Sequence, residues 1–179
     1  MRLPANAQRG ALADMPGLNP IVNIDDISLE QGGHGEKFEY RIGRVGPVIG
    51  AEQLGCSLTV VRPGKRAFPH HNHQVNEEMM VILSGTGEYR FGEAVYPVKD
   101  GDVIAAPAGG RDKAHQLINT GAGDLKYLCM STMLKTDVVE YPDSNKIGIS
   151  SYANSDDDEP VFRHLAVMGE RAGYWDGED

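Results

Sequence analysis

Three histidines and one glutamate, His71, His73, Glu78 and His115, are side chains of the kinds that hold a divalent metal. His71 and His73 are two apart, so on a strand both point to one face, and His70 and Asn72 take the other. His70 therefore falls outside the ligand set, as a supporting or exposed residue. Glu78 opens an apolar run just after the Gln74-Val75-Asn76-Glu77 corner, where a chain reversal can bring a carboxylate beside the two imidazoles. Glu77 competes with it: Met80 and Ile82 continue the Glu78 face, Met79 and Val81 the Glu77 face, and both faces are apolar. Neutral imidazoles and one carboxylate would leave a bound dication with net positive charge, able to draw in an anionic or carbonyl oxygen. An octahedral Fe, Mn or Ni would keep positions open for substrate, water or dioxygen, whereas a tetrahedral Zn would be nearly saturated.

The elements that must position these groups read as short strands. Apolar and polar residues alternate over 54–61, with Leu54, Cys56, Leu58 and Val60 on one face. Outer strands are predicted over 21–29 and 37–42, on either side of a Gln31-Gly32-Gly33 break. Two strands, 78–83 and 88–91, are joined by the glycine turn Ser84-Gly85-Thr86-Gly87, and 94–98, 103–106, 115–119 and 125–133 follow. Residues 138–141 suit an edge strand. Close strand spacing with almost no helical period predicts an all-β barrel or sandwich in a single domain spanning 1–179. Residues 1–20, with Pro4, Pro16 and Pro20, form an N-terminal arm that orders only against another surface; 21–150 make the barrel with its extra outer strands. Residues 151–179 are a tail, with the acidic run 152–159 solvated and Tyr174 and Trp175 carried on a short helix or a lid.

A chain of 179 residues can enclose a core without disulfides, and Cys56 and Cys129 lie in apolar runs as small core residues. Lys and Arg total 17 against 26 Asp and Glu, a net charge of −9 that argues against nucleic acid and anionic membranes as partners. No run approaches a membrane span and the first residues lack the apolar core of a secretory signal, so a cytoplasmic location is expected. Neither a glycine-rich nucleotide cradle nor a Ser or Cys nucleophile with its base is present.

Residues 64–85 resemble the first motif of the cupin superfamily: a glycine, His-x-His, three or four residues, Glu, six residues and Gly. Four residues separate His73 from Glu78 and six separate Glu78 from Gly85, whereas Glu77 would leave seven, so the resemblance selects Glu78. Six residues rather than five lie between Gly64 and His71. Gly101, Pro107, Gly109, His115 and Asn119 resemble the second motif, with five residues instead of two between Gly109 and His115. That insertion, Gly110-Arg111-Asp112-Lys113-Ala114, predicts a local loop near the metal. The resemblance implies a double-stranded β-helix, or jelly-roll barrel, with one divalent ion (Fe, Mn, Zn or Ni) bound by His71, His73, Glu78 and His115. It makes Asn119 a structural residue.

Around that centre, Arg111 and Lys113 are candidates to reach over the barrel mouth toward a carboxylate or phosphate, and Tyr89 is the inward-pointing neighbour of Arg90. His34 and His164 read as surface histidines. The resemblance covers dioxygenases, decarboxylases, lyases and sugar or sugar-acid isomerases. A metal-dependent enzyme acting on a small polar molecule is the first expectation, with sugar-phosphate or sugar-acid isomerisation favoured by the Arg111/Lys113 loop. A dioxygenase and a non-catalytic small-molecule binding cupin are the alternatives. Cupins bury strand edges by pairing, so a homodimer through residues 21–29 and the preceding arm is expected.

Overall fold

The computed structural model describes residues 19–153 and 159–178. Among them are the strands β1 (Glu30–His34), β2 (Phe38–Arg44), β3 (Leu54–Val61), β4 (Asn72–His73), β5 (Glu78–Ser84), β6 (Thr86–Phe91) and β7 (Ala94–Lys99). β8 (Val103–Ala106), β9 (His115–Ile118), β10 (Leu125–Thr132), β11 (Thr136–Tyr141), β12 (Lys146–Ser151) and β13 (Phe162–Val167) complete the set. One antiparallel sheet has the order β1-β2-β3-β10-β5-β8; the others are β7-β6-β9 and β13-β12-β11-β4. The two smaller sheets meet where His71 and His115 exchange backbone hydrogen bonds, with N to O distances of 3.1 and 2.7 Å. This is the all-β architecture that the strand pattern predicts, in the jelly-roll arrangement that the resemblance implies. No helix among the described residues is long and apolar enough to cross a membrane.

Register across the large sheet sorts the barrel interior into rows. Tyr40, Val61 and Leu125 close one end, and Ile42, Thr59, Tyr127 and Ile82 form the next row. Beyond them come Arg44, Ser57, Cys129 and Met80, and then Gly55, Ser131, Glu78 and Ala106. Tyr89, Val98 and Leu117 of the facing sheet pack onto the apolar rows to complete the core. The interior therefore turns from apolar to polar toward the mouth, which is where Glu78 lies. The same pairing exposes Met79 while burying Met80 and Ile82, so the two faces of β5, equally apolar in sequence, are distinguished by what packs on them.

Several predicted elements differ. Residues 21–29 are not a strand: the Asn23 side chain accepts the Asp25 N–H and starts a short 3-10 turn, Ile24–Asp26. The first strand instead runs through the glycines read as a break, because Gly32 faces Tyr40 on β2 and a Cβ there would lie 2.5 Å from the tyrosine ring. Strands β5 and β6 do not pair with each other: β5 lies between β10 and β8, and β6 between β7 and β9. Gly85, at φ 97°, carries the chain from one sheet to the other, in a left-handed conformation that favours glycine. β11 is not an edge, since β12 and β4 flank it, and the tail contributes β13 rather than a helix. Tyr174 and Trp175 are exposed and pack edge-to-face on each other, with ring centroids 4.6 Å apart. The arm through residue 18 and the acidic positions 154–158 lie outside the described residues.

Candidate metal centre

β4 is only two residues long, and its pairing with β11 sets which side chains reach the interior. His71 and His73 point in; Asn72 and His70 are buried on the other side. Asn72 donates to the Gly109 carbonyl at 2.8 Å and the Gly109 N–H donates to the His73 carbonyl at 2.8 Å, which ties the Pro107-Ala108-Gly109 corner to the histidine pair. The insertion after Gly109 folds into a 3-10 turn, Arg111–Lys113, and delivers His115 opposite His71.

The ligating atoms of His71, His73 and Glu78 lie within 4.8 Å of one another. His115 joins them through Glu78, its Nε2 standing 2.9 Å from Oε2, and His73 Nε2 is 3.8 Å from the same oxygen. All three rings turn Nδ1 to an oxygen that only accepts. His71 Nδ1 lies 2.8 Å from the Pro69 carbonyl, His73 Nδ1 2.6 Å from Asp137 Oδ2, and His115 Nδ1 3.3 Å from the Lys113 carbonyl. Donation from Nδ1 leaves the Nε2 lone pair available to a metal, the arrangement outer partners impose on metal-binding histidines. A neutral His115 ring has one N–H and cannot donate to both Lys113 and Glu78. A cation shared by Nε2 and Oε2 would remove that conflict, so the donor set fits a divalent ion.

The electrostatics agree. Burial, reinforced by the neighbouring His115, holds His71 at about 3, so its ring is neutral near pH 7. Burial would raise Glu78, but the His115 hydrogen bond and the surrounding imidazoles outweigh it and hold the carboxyl at about 2. Burial also opposes a charge on His73, yet the bond to Asp137 and the charge of Glu78 raise it above its ordinary value. Glu78 is thus an anion among basic nitrogens, on the wall of a cavity of about 410 Å³ that His73 and Asp137 also line. A smaller space of about 40 Å³, lined by His71, Glu78, His115 and Tyr127 among others, continues into the barrel.

Residues 57–131, the span that contains all four candidate ligands, match the model of the Cupin_2 family, a cupin domain. The chain carries a cupin domain. Solved structures agree on the fold. A protein of Acidithiobacillus ferrooxidans provisionally named a sugar phosphate isomerase superposes with TM-score 0.73 at 24% identity, over 87% of this chain and 96% of its own. A sugar phosphate isomerase of the cupin superfamily from Silicibacter pomeroyi gives 0.69 at 19%, over 83% and 92%. A predicted oxalate decarboxylase from Thermotoga maritima gives 0.55 at 24%, over 64% and 99%. No curated protein matches the chain.

The other predicted residues of this cupin sit as follows. Tyr89 points inward and is buried, its hydroxyl donating to the Ala105 carbonyl at 3.2 Å and its ring 6.3 Å from His115. Arg111 is turned outward, donating from Nε to Glu140 at 2.7 Å and from Nη2 to Asn145 at 3.2 Å. Lys113 pairs with Asp112 at 3.0 Å. Neither cation lines the 410 Å³ cavity. His70 is buried rather than exposed, with Nδ1 3.5 Å from Asp143. Two residues that line the cavity escaped the sequence reading. Asp137 is an acid just before a strand of weak signal, and Arg44 lies two residues beyond the predicted end of β2. Continuing the Tyr40, Ile42 alternation by one step would have found Arg44.

Proposed function

We propose that this cupin is a metal-dependent enzyme acting on a small polar molecule, with one divalent ion held by His71, His73, Glu78 and His115. The carrying observation is the convergence of three imidazoles, each with Nδ1 on an accepting oxygen, around Glu78 at the wall of a 410 Å³ cavity. A bound Fe, Mn, Zn or Ni would supply Lewis-acid polarisation of a substrate carbonyl, hydroxyl or carboxylate oxygen. The chain's own part is to keep His71 neutral, Glu78 ionised and His73 oriented by Asp137, and to offer a pocket within the ~300–1,000 Å³ usual for small-molecule sites. Within that class we favour oxygen-independent isomerisation of a sugar phosphate or sugar acid. Two solved structures of the same fold carry sugar phosphate isomerase names, and Ser57, Asn76 and Ser131 line the cavity beside Glu78.

The test begins with metal content, measured on protein purified without added metal and again after reloading. One equivalent per chain is expected in the reloaded protein and less than a tenth of that in a His71→Ala/His73→Ala variant. Reloaded protein is then incubated with phosphorylated sugars and sugar acids, with and without oxygen, and followed by NMR. Interconversion that is indifferent to oxygen supports the isomerase. Turnover that requires oxygen replaces it with a dioxygenase, and saturable binding without turnover replaces it with a binding protein. Absence of stoichiometric metal overturns the centre itself.

A further inference from the structure

Asn76 and Thr132 are outside the candidate ligand set, yet both line the 410 Å³ cavity. Asn76 lies in the corner that leads from His73 to Glu78, and Thr132 ends β10. They are joined by hydrogen bonds whose direction is fixed by backbone groups. The Leu134 N–H, which can only donate, stands 2.9 Å from Asn76 Oδ1. The Glu77 N–H donates to the Thr132 hydroxyl oxygen at 3.0 Å, and that hydroxyl turns its own proton to Asn76 Oδ1, also at 3.0 Å. With its oxygen taken by two donors, the Asn76 amide has to point its NH2 group the other way, where Nδ2 donates to Asp137 Oδ2 at 3.0 Å. Oδ1 of the same carboxylate accepts the Val75 and Val138 N–H groups at 3.2 and 2.9 Å. A buried carboxylate ringed by three such donors is held in its accepting form, so His73 Nδ1, 2.6 Å from Oδ2, is the donor of that last bond. Every donor and acceptor from the end of β10 to the imidazole is thereby assigned.

We propose that Asn76 is a positioning residue for His73: anchored by Thr132 and Leu134, its amide fixes the Asp137 carboxylate, which keeps the imidazole protonated at Nδ1 with Nε2 free. This rests on the metal-centre reading above, in which Nε2 of His73 serves the ion. Asp137 needs the help because its two backbone donors both sit on Oδ1. Without Asn76 the remaining hydrogen-bond partner of Oδ2 among the described residues is the imidazole itself, and an oxygen held only by the ring it must orient fixes that ring poorly. The Asn76 amide supplies a second, independent contact on that oxygen. An aspartate at position 76 would undo it at nearly constant volume. One of its oxygens would stay on the Leu134 and Thr132 donors, and the other would face Asp137 Oδ2, where two carboxylates cannot both remain ionised. The proton they share makes Asp137 a weaker acceptor for His73. Thr132 acts one step further back, by holding the Asn76 oxygen and so the sense of the amide. The Thr132 to Leu134 wall of the cavity and the His73 imidazole are thus one hydrogen-bonded unit.

The test is read first in metal-free, full-length protein, from the 15N shifts of the His73 ring on the alkaline plateau of its titration, which separate a proton on Nδ1 from one on Nε2. Wild type is compared with Asn76→Asp, Asn76→Ala, Thr132→Val and Thr132→Ser, and zinc affinity is measured on each by chelator competition. The wild type is expected to carry the proton on Nδ1. The fraction protonated at Nε2 should rise about threefold in Asn76→Asp and Asn76→Ala, the effect of one hydrogen bond of modest net worth, and by less in Thr132→Val. Thr132→Ser, which keeps the hydroxyl, should match the wild type, and zinc affinity should fall in the same order of variants. A wild-type ring protonated at Nε2, a tautomer unchanged in both Asn76 variants, or a Thr132→Ser variant as impaired as Thr132→Val would each overturn the positioning role. Should Asn76→Asp fail to fold, Asn76→Ala and the two Thr132 variants decide. The two readings fail separately: a tautomer that depends on Asn76 in a protein that takes up no metal keeps the positioning role and removes the metal centre, and normal metal uptake with a tautomer indifferent to Asn76 does the reverse.

Discussion

Asp137→Asn removes a charge from the candidate metal centre while changing almost no volume. In the native protein Oδ2 accepts from His73 Nδ1 at 2.6 Å and Asn76 Nδ2 at 3.0 Å, and Oδ1 accepts from the Val75 N–H at 3.2 Å and the Val138 N–H at 2.9 Å. An amide has one accepting oxygen and one donating nitrogen, so it cannot satisfy both sides. If the oxygen stays on the two backbone donors, the NH2 group faces His73, and the ring shifts its proton to Nε2 to accept at Nδ1. That tautomer cannot bind metal through Nε2. Loss of such a partner to a metal-binding histidine costs about 10–100-fold in affinity, or about 1.4–2.7 kcal/mol. If the oxygen turns to His73 instead, the backbone donors lose their acceptor and stability falls by about 1–3 kcal/mol with a smaller change in metal binding. Competition against a fluorescent chelator at pH 7.5, paired with urea denaturation of the metal-free protein, separates the two outcomes. Asp143→Asn is the control: that carboxylate receives Arg90 at 2.7 and 2.9 Å and faces His70, not the ligands, so metal affinity is expected to hold. Metal affinity within twofold of native together with unchanged stability in Asp137→Asn would refute the assignment of Asp137 to orienting His73.

Two further outcomes follow from the same geometry. His71 moves from 6.5 to about 3 and Glu78 from 4.5 to about 2, so the unfolded chain protonates first as pH falls. The stability each contributes is complete above its unfolded value and is lost toward its folded one, at about 1.4 kcal/mol per pH unit for each proton. His73, raised by Asp137 and Glu78 against its burial, contributes below 6.5 and loses that contribution as pH rises through its folded value, which places the stability maximum of the metal-free protein near neutrality. Urea titrations from pH 4 to 8 should show stability falling below about pH 6, and a flat profile there would sink the neutral, buried His71. Asn119→Ala removes the donor to the Val61 and Gly123 carbonyls and the acceptor of the Gly121 N–H, all within 2.8–2.9 Å of a fully buried side chain. Leaving these groups unpaired should cost about 3 kcal/mol and lower the melting temperature by about 6–12 °C, and a loss under 1 kcal/mol would show that Asn119 does not hold that corner.

Much of the barrel and the His71/His73 pair are legible in the chain because both depend on short-range period, while Glu78 and His115 are reached through the resemblance. The strands read over 54–61 and 103–106 match β3 and β8 residue for residue, and the two-residue step from His71 to His73 puts both imidazoles on one face wherever the strand lies. What is not legible depends on partners distant in sequence. Gly32 reads as a break until Tyr40 is known to lie across from it. The Ser84–Gly87 turn looks like a hairpin until β5 and β6 are known to belong to different sheets. Glu77 and Glu78 sit on equally apolar faces, and only the facing sheet, through Tyr89 and Leu117, buries the Met80 and Ile82 face that carries Glu78.

The same division runs through the site. The candidate ligands come from two motifs readable in the sequence, but Asp137 reaches His73 across 64 residues and Arg44 lines the cavity only because β2 pairs with β3 in a register that sets it opposite Ser57. Arg111 and Lys113 drew attention by lying near His115 in sequence, yet proximity along the chain does not aim a long side chain. Glu140 and Asn145 take one outward and Asp112 the other. The candidate ligands are therefore a property of motifs here and the rest of the cavity wall a property of register. A relative that kept the four ligands but shifted the β2–β3 pairing by one residue would turn Arg44 out of the cavity, because one step of register exchanges the two faces of a strand. It would keep the candidate ligands and present a different wall to the cavity.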